Sequence, residues 1–510
     1  MTEGPGFSGA DRASARRGVW ISVVGGAVLA GVKASGFFLR AIFGGEIWGL
    51  YAIAWSVVEL LAYLLVAGFV DAVVIFASRV LAARERGAAP EETEHYRTLS
   101  KIVLLPVLAA IALAGSLHVL APVVYAAFWS QHDPLLIPLV RWLGWSLPLL
   151  VLVQVPAEAT RAALRFGAAV GIVQIAFPLL SLGFAIGVYR YQDPSILAVG
   201  KGAILALLCC APASLLAYSR HFSLERTLGG LFHGPSLREA LGFAVPQGLN
   251  MMLGQGLNRI DGLMLSGLGV SANSIGVYNL VTEVTQVVRV GKMAFSGVYS
   301  PLVARYRASG NRDGIREALA DTTQKTSAIG LALLIGAMTL WPLAVLRRGE
   351  TWEESALFPW LLAAGPVMST LFGLAGNTLL MLGHSRLLLL NAAASGLLSV
   401  ALNALLIPAL GVLGASLATA IASVFISSLQ LFELRRFEGI LVERAAYLRA
   451  VLAATPSLIV AFVATVRLLP AAGDTMLGLG PVPSRVVLAV GCLLCYAALL
   501  FLLPRAGARR

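Results

Sequence analysis

The sequence predicts an all-α polytopic membrane protein of about fourteen transmembrane helices, arranged as two six-helix lobes followed by two C-terminal helices. Three observations lead there: the composition, the recurrence of apolar runs of spanning length, and the side on which the basic residues fall. Hydrophobic residues make up 58% of the 510-residue chain and charged residues 13%, and the mean hydropathy is +0.83. Soluble domains run at roughly 45–50% and about 25% respectively. By length alone the chain would hold two soluble domains, but apolar stretches recur from end to end and leave no interval for a soluble catalytic domain.

A hydrocarbon core of about 30 Å takes about 20 helical residues. On that ruler spans 1 to 6 fall near 19–42, 47–77, 102–128, 137–158, 167–189 and 195–218. Spans 7 to 12 fall near 239–266, 273–303, 325–346, 357–381, 387–408 and 412–434, and spans 13 and 14 near 449–469 and 486–504. The positive-inside rule tests this count, because an error of one helix would invert every later loop. With the N-terminus cytoplasmic, the inner segments carry 26 of the 38 Lys and Arg, the outer ends seven, and the spans five. The alternation never breaks, so both termini are expected on the cytoplasmic side of a cell inner membrane. The same distribution excludes nucleic acid as a partner: the net charge of +12 lies in short clusters between spans and not along one face. Residues 1–18 are polar and lead into span 1 without a small-residue cleavage site, so the first helix is expected to be retained.

An internal repeat is visible. Gly49-Leu50-Tyr51 opens span 2 and Gly276-Val277-Tyr278 opens span 8, each after a Gly-containing outer turn and before a basic inner loop. The expected division is an N-lobe over 1–238, a C-lobe over 239–436, and spans 13 and 14 with a cytoplasmic C-terminus over 437–510.

Five basic residues lie inside spans: Lys33 and Arg40 in span 1, Arg259 in span 7, Arg289 and Lys292 in span 8. Each costs about 2.5–3.5 kcal/mol at a helix centre, so such residues face a cavity, a partner or the bundle interior. Helical periodicity extends them into polar stripes: Gln247, Asn250, Asn258 and Asp261 on span 7, and Thr282, Thr285, Gln286, Arg289, Lys292 and Ser296 on span 8. One reading is a hydrated cationic cavity that holds an anionic headgroup. The other is that Arg40 and Arg259 extend to the outer interface, and that Glu283 neutralises Arg289 or Lys292. Arg289 and Lys292 favour the cavity, since like charges one turn apart repel unless an anion or water lies between them. The carboxylates Glu59, Asp71, Asp261 and Glu283 are candidates for ion coupling or for counter-ions to the five cations.

The chemistry of enzymes is missing. There is no G-x-x-x-x-G-K-[ST] phosphate loop, so energy is expected from gradients, membrane potential or mass action. The six His form no ligand spacing, and Cys209, Cys210, Cys492 and Cys495 sit inside apolar spans as packing residues. No cofactor, no metal and no catalytic residue is expected. A membrane-embedded glycosyl- or phospho-transferase would need paired carboxylates at one interface, and no D-D or D-x-D motif occurs.

Local patterns carry a resemblance. The segment Asn403 to Thr419 (N-A-L-L-I-P-A-L-G-V-L-G-A-S-L-A-T) closely resembles the turn between helices eleven and twelve of polysaccharide flippases of the multidrug/oligosaccharidyl-lipid/polysaccharide (MOP) exporter superfamily. Pro408 ends one helix there, Gly411 permits the turn, and a Gly/Ala/Ser face lets the next helix pack closely. Trp48 to Ala54, Gly68 to Arg79, Ser274 to Leu280, Pro301 to Arg305 and Leu382 to Arg386 resemble their counterparts in order and spacing. The resemblance covers most of the first twelve helices, while spans 5 and 6, with Cys209-Cys210 and the turn Tyr189 to Pro194, match poorly. It implies a two-lobed bundle and alternating access. The implied activity is export of an undecaprenyl-pyrophosphate-linked oligosaccharide, an O-antigen, capsule or exopolysaccharide repeat unit, with Lys33, Arg40, Arg259, Arg289 and Lys292 engaging the pyrophosphate. The implied partners are that lipid-linked substrate, the bilayer, and the polysaccharide polymerase and chain-length machinery. A peptidoglycan-precursor flippase is the nearest alternative. A multidrug or cation antiporter follows, disfavoured by the excess of cations, and a membrane-embedded transferase comes last.

Overall fold

The computed structural model describes residues 42–163, 165–192, 195–230, 257–308, 310–345, 355–372, 374–468 and 481–503, together with Arg40 and isolated positions between 238 and 252. The chain is an all-α polytopic membrane protein. Among the described residues nine helices are long and apolar enough to cross a bilayer, and a bent pair makes a tenth. Large apolar side chains ring their outer faces, for example Val119, Leu397, Leu405 and Phe501, each more than two-thirds exposed. That much uncovered hydrocarbon is tolerable only where lipid is the solvent.

By internal contacts the chain divides into two compact units, Met1–Ala272 and Asn273–Arg510. In the first unit, α1 (Gly45–Glu85), α2 (Ala89–Trp129), α3 (Leu136–Ala163), α4 (Ala169–Tyr191) and α5 (Leu197–Ser219) are spans 2 to 6. Gly44, at φ +91°, makes the turn into α1, and Glu46 complements the positive end of that helix. Pro90, in the first turn, starts α2, with Glu91 and Glu92 beside it. The short helix α6 (Leu224–Gly229) follows span 6. The ends predicted as inner are stitched together here. Glu92 accepts both Arg84 at 3.1 Å and Arg226 at 3.3 Å, and the Tyr96 hydroxyl accepts from Arg84 at 3.0 Å and from the Ser223 amide at 2.9 Å.

The part of span 7 predicted as outer, α7 (Leu257–Gly267), packs on α1 within this unit. Two glycines of α1 make the approach close. A Cβ at Gly49 would stand 1.6 Å from the carbonyl oxygen of Ala272, which follows α7, and one at Gly68 would stand 2.0 Å from that of Ala244, which precedes it. Between these contacts Arg259 Nε lies 2.8 Å from Glu59 Oε2, both side chains less than one-fifth exposed. The Tyr63 hydroxyl donates to the other carboxylate oxygen at 3.1 Å. At the C-terminal end of α7 Ser266 is held three times: Trp129 Nε1 donates to its hydroxyl at 2.9 Å, and Gln131 Nε2 and His132 Nε2 donate to its carbonyl at 2.6 and 3.1 Å. This binding along α1 is why the contact boundary falls after Ala272, whereas the repeat boundary expected at 238/239 follows the order of spans.

The second unit begins at Asn273; span 8 comprises α8 (Ala272–Gln286), whose first residue closes the first unit, and α9 (Val290–Ala308), joined by a 3-10 turn at Val287–Arg289. Span 9 is α10 (Arg312–Val345), and span 10 is the pair α11 (Phe358–Phe372) and α12 (Leu374–Met381), bent by 48°. Helix α13 (Ser385–Glu438) holds spans 11 and 12 across a non-helical Gly411 at φ +55°, the break that the Pro408/Gly411 pattern predicts. Gly414 must be glycine-sized, since a Cβ would stand 2.3 Å from the Leu406 carbonyl oxygen. Gly439, at φ +65°, ends α13 with the Ile440 amide donating to Leu434 O at 3.4 Å. Spans 13 and 14, α14 (Arg444–Leu468) and α15 (Pro481–Leu502), pack on α10, where the Tyr496 hydroxyl donates to Ala328 O at 2.8 Å.

Two predictions follow from the close contacts of α1. Gly49→Ala lowers the thermal unfolding midpoint of the detergent-solubilised protein by several degrees or more, whereas Gly115→Ala, where a Cβ meets nothing within 4 Å, leaves it unchanged or raises it. Glu59→Gln strands a buried guanidinium and costs about 3–5 kcal/mol, while Glu59→Gln combined with Arg259→Gln recovers most of that loss in the same measurement.

Candidate functional site

Of the residues singled out by charge and periodicity, Lys33, Gln247 and Asn250 lie outside the described residues, as does the side chain of Asn258. Arg40 is buried, 4% exposed, and engaged in interactions of its own. Asp261, 3% exposed, is likewise engaged, as are the half-buried Asp71 and Glu283. Asp71 comes within electrostatic range of Glu158, which pairs with Arg161 at 2.7 Å near the C-terminal end of α3.

The remaining residues form two groups of opposite character. In the first unit Arg259 is bound to Glu59, so its charge is matched by a carboxylate and the interface-seeking alternative does not describe it. In the second unit Arg289 closes the 3-10 turn of span 8 and Lys292 follows one turn later, both half-buried. Neither cation forms an ion pair with a described carboxylate, so Glu283 does not neutralise them there. Arg289 Nε is buried without a hydrogen-bond partner among the described residues. Lys292 Nζ donates to Ser369 Oγ of α11 at 3.1 Å, a neutral partner. Gln286, half-buried, precedes the turn.

The rest of the polar stripe on span 8 is quieter than its composition suggests. Thr282 and Thr285 are buried and donate to the carbonyls of Tyr278 and Thr282 at 2.8 Å each, and Ser296 donates to Met293 O at 2.9 Å. Hydroxyls satisfied by their own helix need no water. Among the described residues, the positive charge of span 8 within 273–303 is therefore concentrated at Arg289 and Lys292.

Sequence reasoning did not single out the residues that face this pair from spans 9 and 10. Thr370 Oγ1 lies 3.3 Å from Val288 O, inside the 3-10 turn, and 2.8 Å from Pro366 O. The Thr326 hydroxyl of α10 approaches Thr370 O at 3.5 Å. The available signal was a Ser369-Thr370 pair shortly after a proline in an otherwise apolar span.

Against known proteins, the model of the family described as polysaccharide biosynthesis protein matches residues 42–357. A search of curated sequences finds no significant match. Among solved structures, the lipid II flippase MurJ in an inward closed conformation is similar with a TM-score of 0.68 at 14% identity, covering 95% of this chain and 99% of that one. The MATE multidrug transporter DinF-BH in complex with R6G follows at TM-score 0.58 and 16% identity, covering 88% and 99%. A MOP superfamily transporter from Pyrococcus furiosus, described as having a binding pocket of reverse polarity, is similar at TM-score 0.53 and 13% identity, covering 83% and 96%. The chain belongs to the polysaccharide biosynthesis protein family and has the fold of the MOP superfamily transporters.

Proposed function

We propose that this protein is a flippase. It moves an undecaprenyl-pyrophosphate-linked oligosaccharide, an O-antigen, capsule or exopolysaccharide repeat unit, from the cytoplasmic to the periplasmic leaflet of the inner membrane by alternating access. The observation that carries the reading is the pair Arg289 and Lys292, two half-buried cations one turn apart with no described carboxylate beside either. Such a pair is costly in a membrane unless an anion visits it. A pyrophosphate supplies several acceptor oxygens and enough charge to match both cations. Membership of a polysaccharide biosynthesis family supports a lipid-linked sugar as the cargo. The same fold serves a lipid II flippase, a multidrug transporter, and a Pyrococcus furiosus member set apart by the polarity of its pocket. In this reading the cation pair of span 8 gives the site the positive charge that a pyrophosphate cargo needs. Glu59 serves in this reading as a counter-ion to Arg259, and ion coupling falls to Asp71, Asp261 or Glu283.

The likeness to a lipid II flippase over nearly the whole chain favours a second reading, export of a peptidoglycan precursor, which shares the pyrophosphate and differs in the sugar. Proteoliposomes carrying fluorescent lipid-pyrophosphate saccharides of the two kinds separate them. We expect translocation of the polysaccharide repeat unit, reduced by about tenfold or more in Lys292→Ala and in Arg289→Ala. Undiminished transport by a variant lacking Lys33, Arg40, Arg259, Arg289 and Lys292 together would remove the headgroup role, and transport confined to the peptidoglycan precursor would select the second reading.

A further inference from the structure

Span 8 changes pitch where its charges are. The 3-10 turn at Val287–Arg289 interrupts an otherwise α-helical span, and such turns leave backbone carbonyls with poorer intrahelical partners. Val288 O is met from outside by Thr370 Oγ1 at 3.3 Å. Gly330 of α10 leaves room for that contact, since a Cβ there would stand 2.3 Å from Thr370 Cγ2 and 3.2 Å from Val288 O. The preceding residue, Ser369, accepts Lys292 Nζ at 3.1 Å. Two consecutive residues of α11 therefore hold span 8 on either side of Arg289, just before the 48° bend of span 10.

The Ser369 hydroxyl differs from its neighbours. Thr282, Thr285, Ser296 and Thr326 all donate to carbonyls of their own helices, and Thr370 shares its one proton between Pro366 O of its own helix and Val288 O of span 8. Ser369 donates to nothing among the described residues, while its oxygen is occupied by Lys292. Its proton, the two remaining Lys292 N–H groups and Arg289 Nε–H are thus donors without described acceptors, gathered around one turn of span 8. A site with an excess of donors and two positive charges suits an oxyanion with several acceptor oxygens.

We propose that Ser369 is a third donor to the anion bound by Arg289 and Lys292, and that Thr370 is a positioning residue that fixes the 3-10 turn presenting them. The site then belongs to spans 8 and 10 of the second unit, takes a phosphoryl or pyrophosphoryl group, and does not require Arg259. The inference rests on the cation-pair reading above and adds to it a neutral donor and a positioning residue that charge alone does not reveal.

The test is binding of farnesyl pyrophosphate, with farnesol as the uncharged control, to the purified full-length protein in nanodiscs. Ser369→Ala is expected to weaken farnesyl pyrophosphate binding by about tenfold without changing farnesol binding, and Ser369→Thr to restore it to within about twofold. Thr370→Val is expected to weaken it several-fold and Thr370→Ser to retain it, with thermal midpoints recorded for every variant. Wild-type affinity in Ser369→Ala, or an equal loss for farnesol, overturns the donor role. A loss in Thr370→Val that Thr370→Ser does not recover overturns the positioning role. Lys292→Gln separates this inference from the reading beneath it: if Lys292→Gln also binds farnesyl pyrophosphate like the wild type, the cation-pair reading fails and the inference with it. If only Lys292→Gln loses binding, that reading stands and Ser369 and Thr370 are excluded.

Discussion

Charge in hydrocarbon is the constraint around which this molecule is organised. The two compact units meet it in opposite ways. In the first, Arg259 faces Glu59 across α1 and α7, the pair is nearly enclosed, and Tyr63 takes up the remaining carboxylate oxygen. Such an arrangement is internally balanced and invites no ligand. In the second, Arg289 and Lys292 stand a turn apart with a serine hydroxyl as the only described partner. A neutral oxygen orients an ammonium but does not cancel its charge. The imbalance is local and sits where the helix itself is irregular, so charge and backbone geometry converge on the same turn.

The scaffold around these groups follows from what lipid permits. With no hydrophobic drive between helices in a bilayer, close approach has to come from small residues and from hydrogen bonds. The contacts at Gly49, Gly68 and Gly414, each with a carbonyl where a methyl would be, are of the first kind. The Tyr496 hydroxyl on Ala328 O, the Ser457 hydroxyl on Cys492 O at 2.8 Å and the Trp360 indole on Thr465 Oγ1 at 3.1 Å are of the second. The last of these, with the Phe372–Tyr447 ring contact at 5.1 Å, ties span 13 to both ends of α11. The two C-terminal helices are thereby joined to the segment that carries Ser369 and Thr370.

Most of the fold was legible in the sequence because a bilayer imposes one length and one polarity on every crossing. Spans 2 to 6 and 9 to 14 fall where hydropathy puts them. The largest departures are at ends predicted as inner. Span 9 was expected from 325, but α10 begins at Arg312 because a charged first section with an Asp321–Lys325 pair at 2.7 Å continues the helix into water. Hydropathy measures the bilayer, not the helix. The break at Gly411 was legible from Pro408 and glycine, whereas the bend in span 10 was not, since it lies beyond Pro366, between Phe372 and Leu374. The site was legible in part. Lysine and arginine inside a span are rare enough to mark themselves, but which of them was already neutralised depended on a contact two hundred residues distant in sequence. Serine and threonine are common in membrane helices and mostly bond to their own backbone, so Ser369 and Thr370 gave no distinguishing signal until their neighbours on span 8 were placed.

The triple attachment of Ser266 has a mechanical consequence. A rod fastened at one end pivots there, and displacement grows with distance from the pivot. Arg259 lies seven residues inward, about 10 Å along a helix axis, so a tilt of about 10° carries it by less than about 2 Å. That is within the reach of a guanidinium on its three-carbon stem. The link to Glu59 would stretch through such a swing without parting.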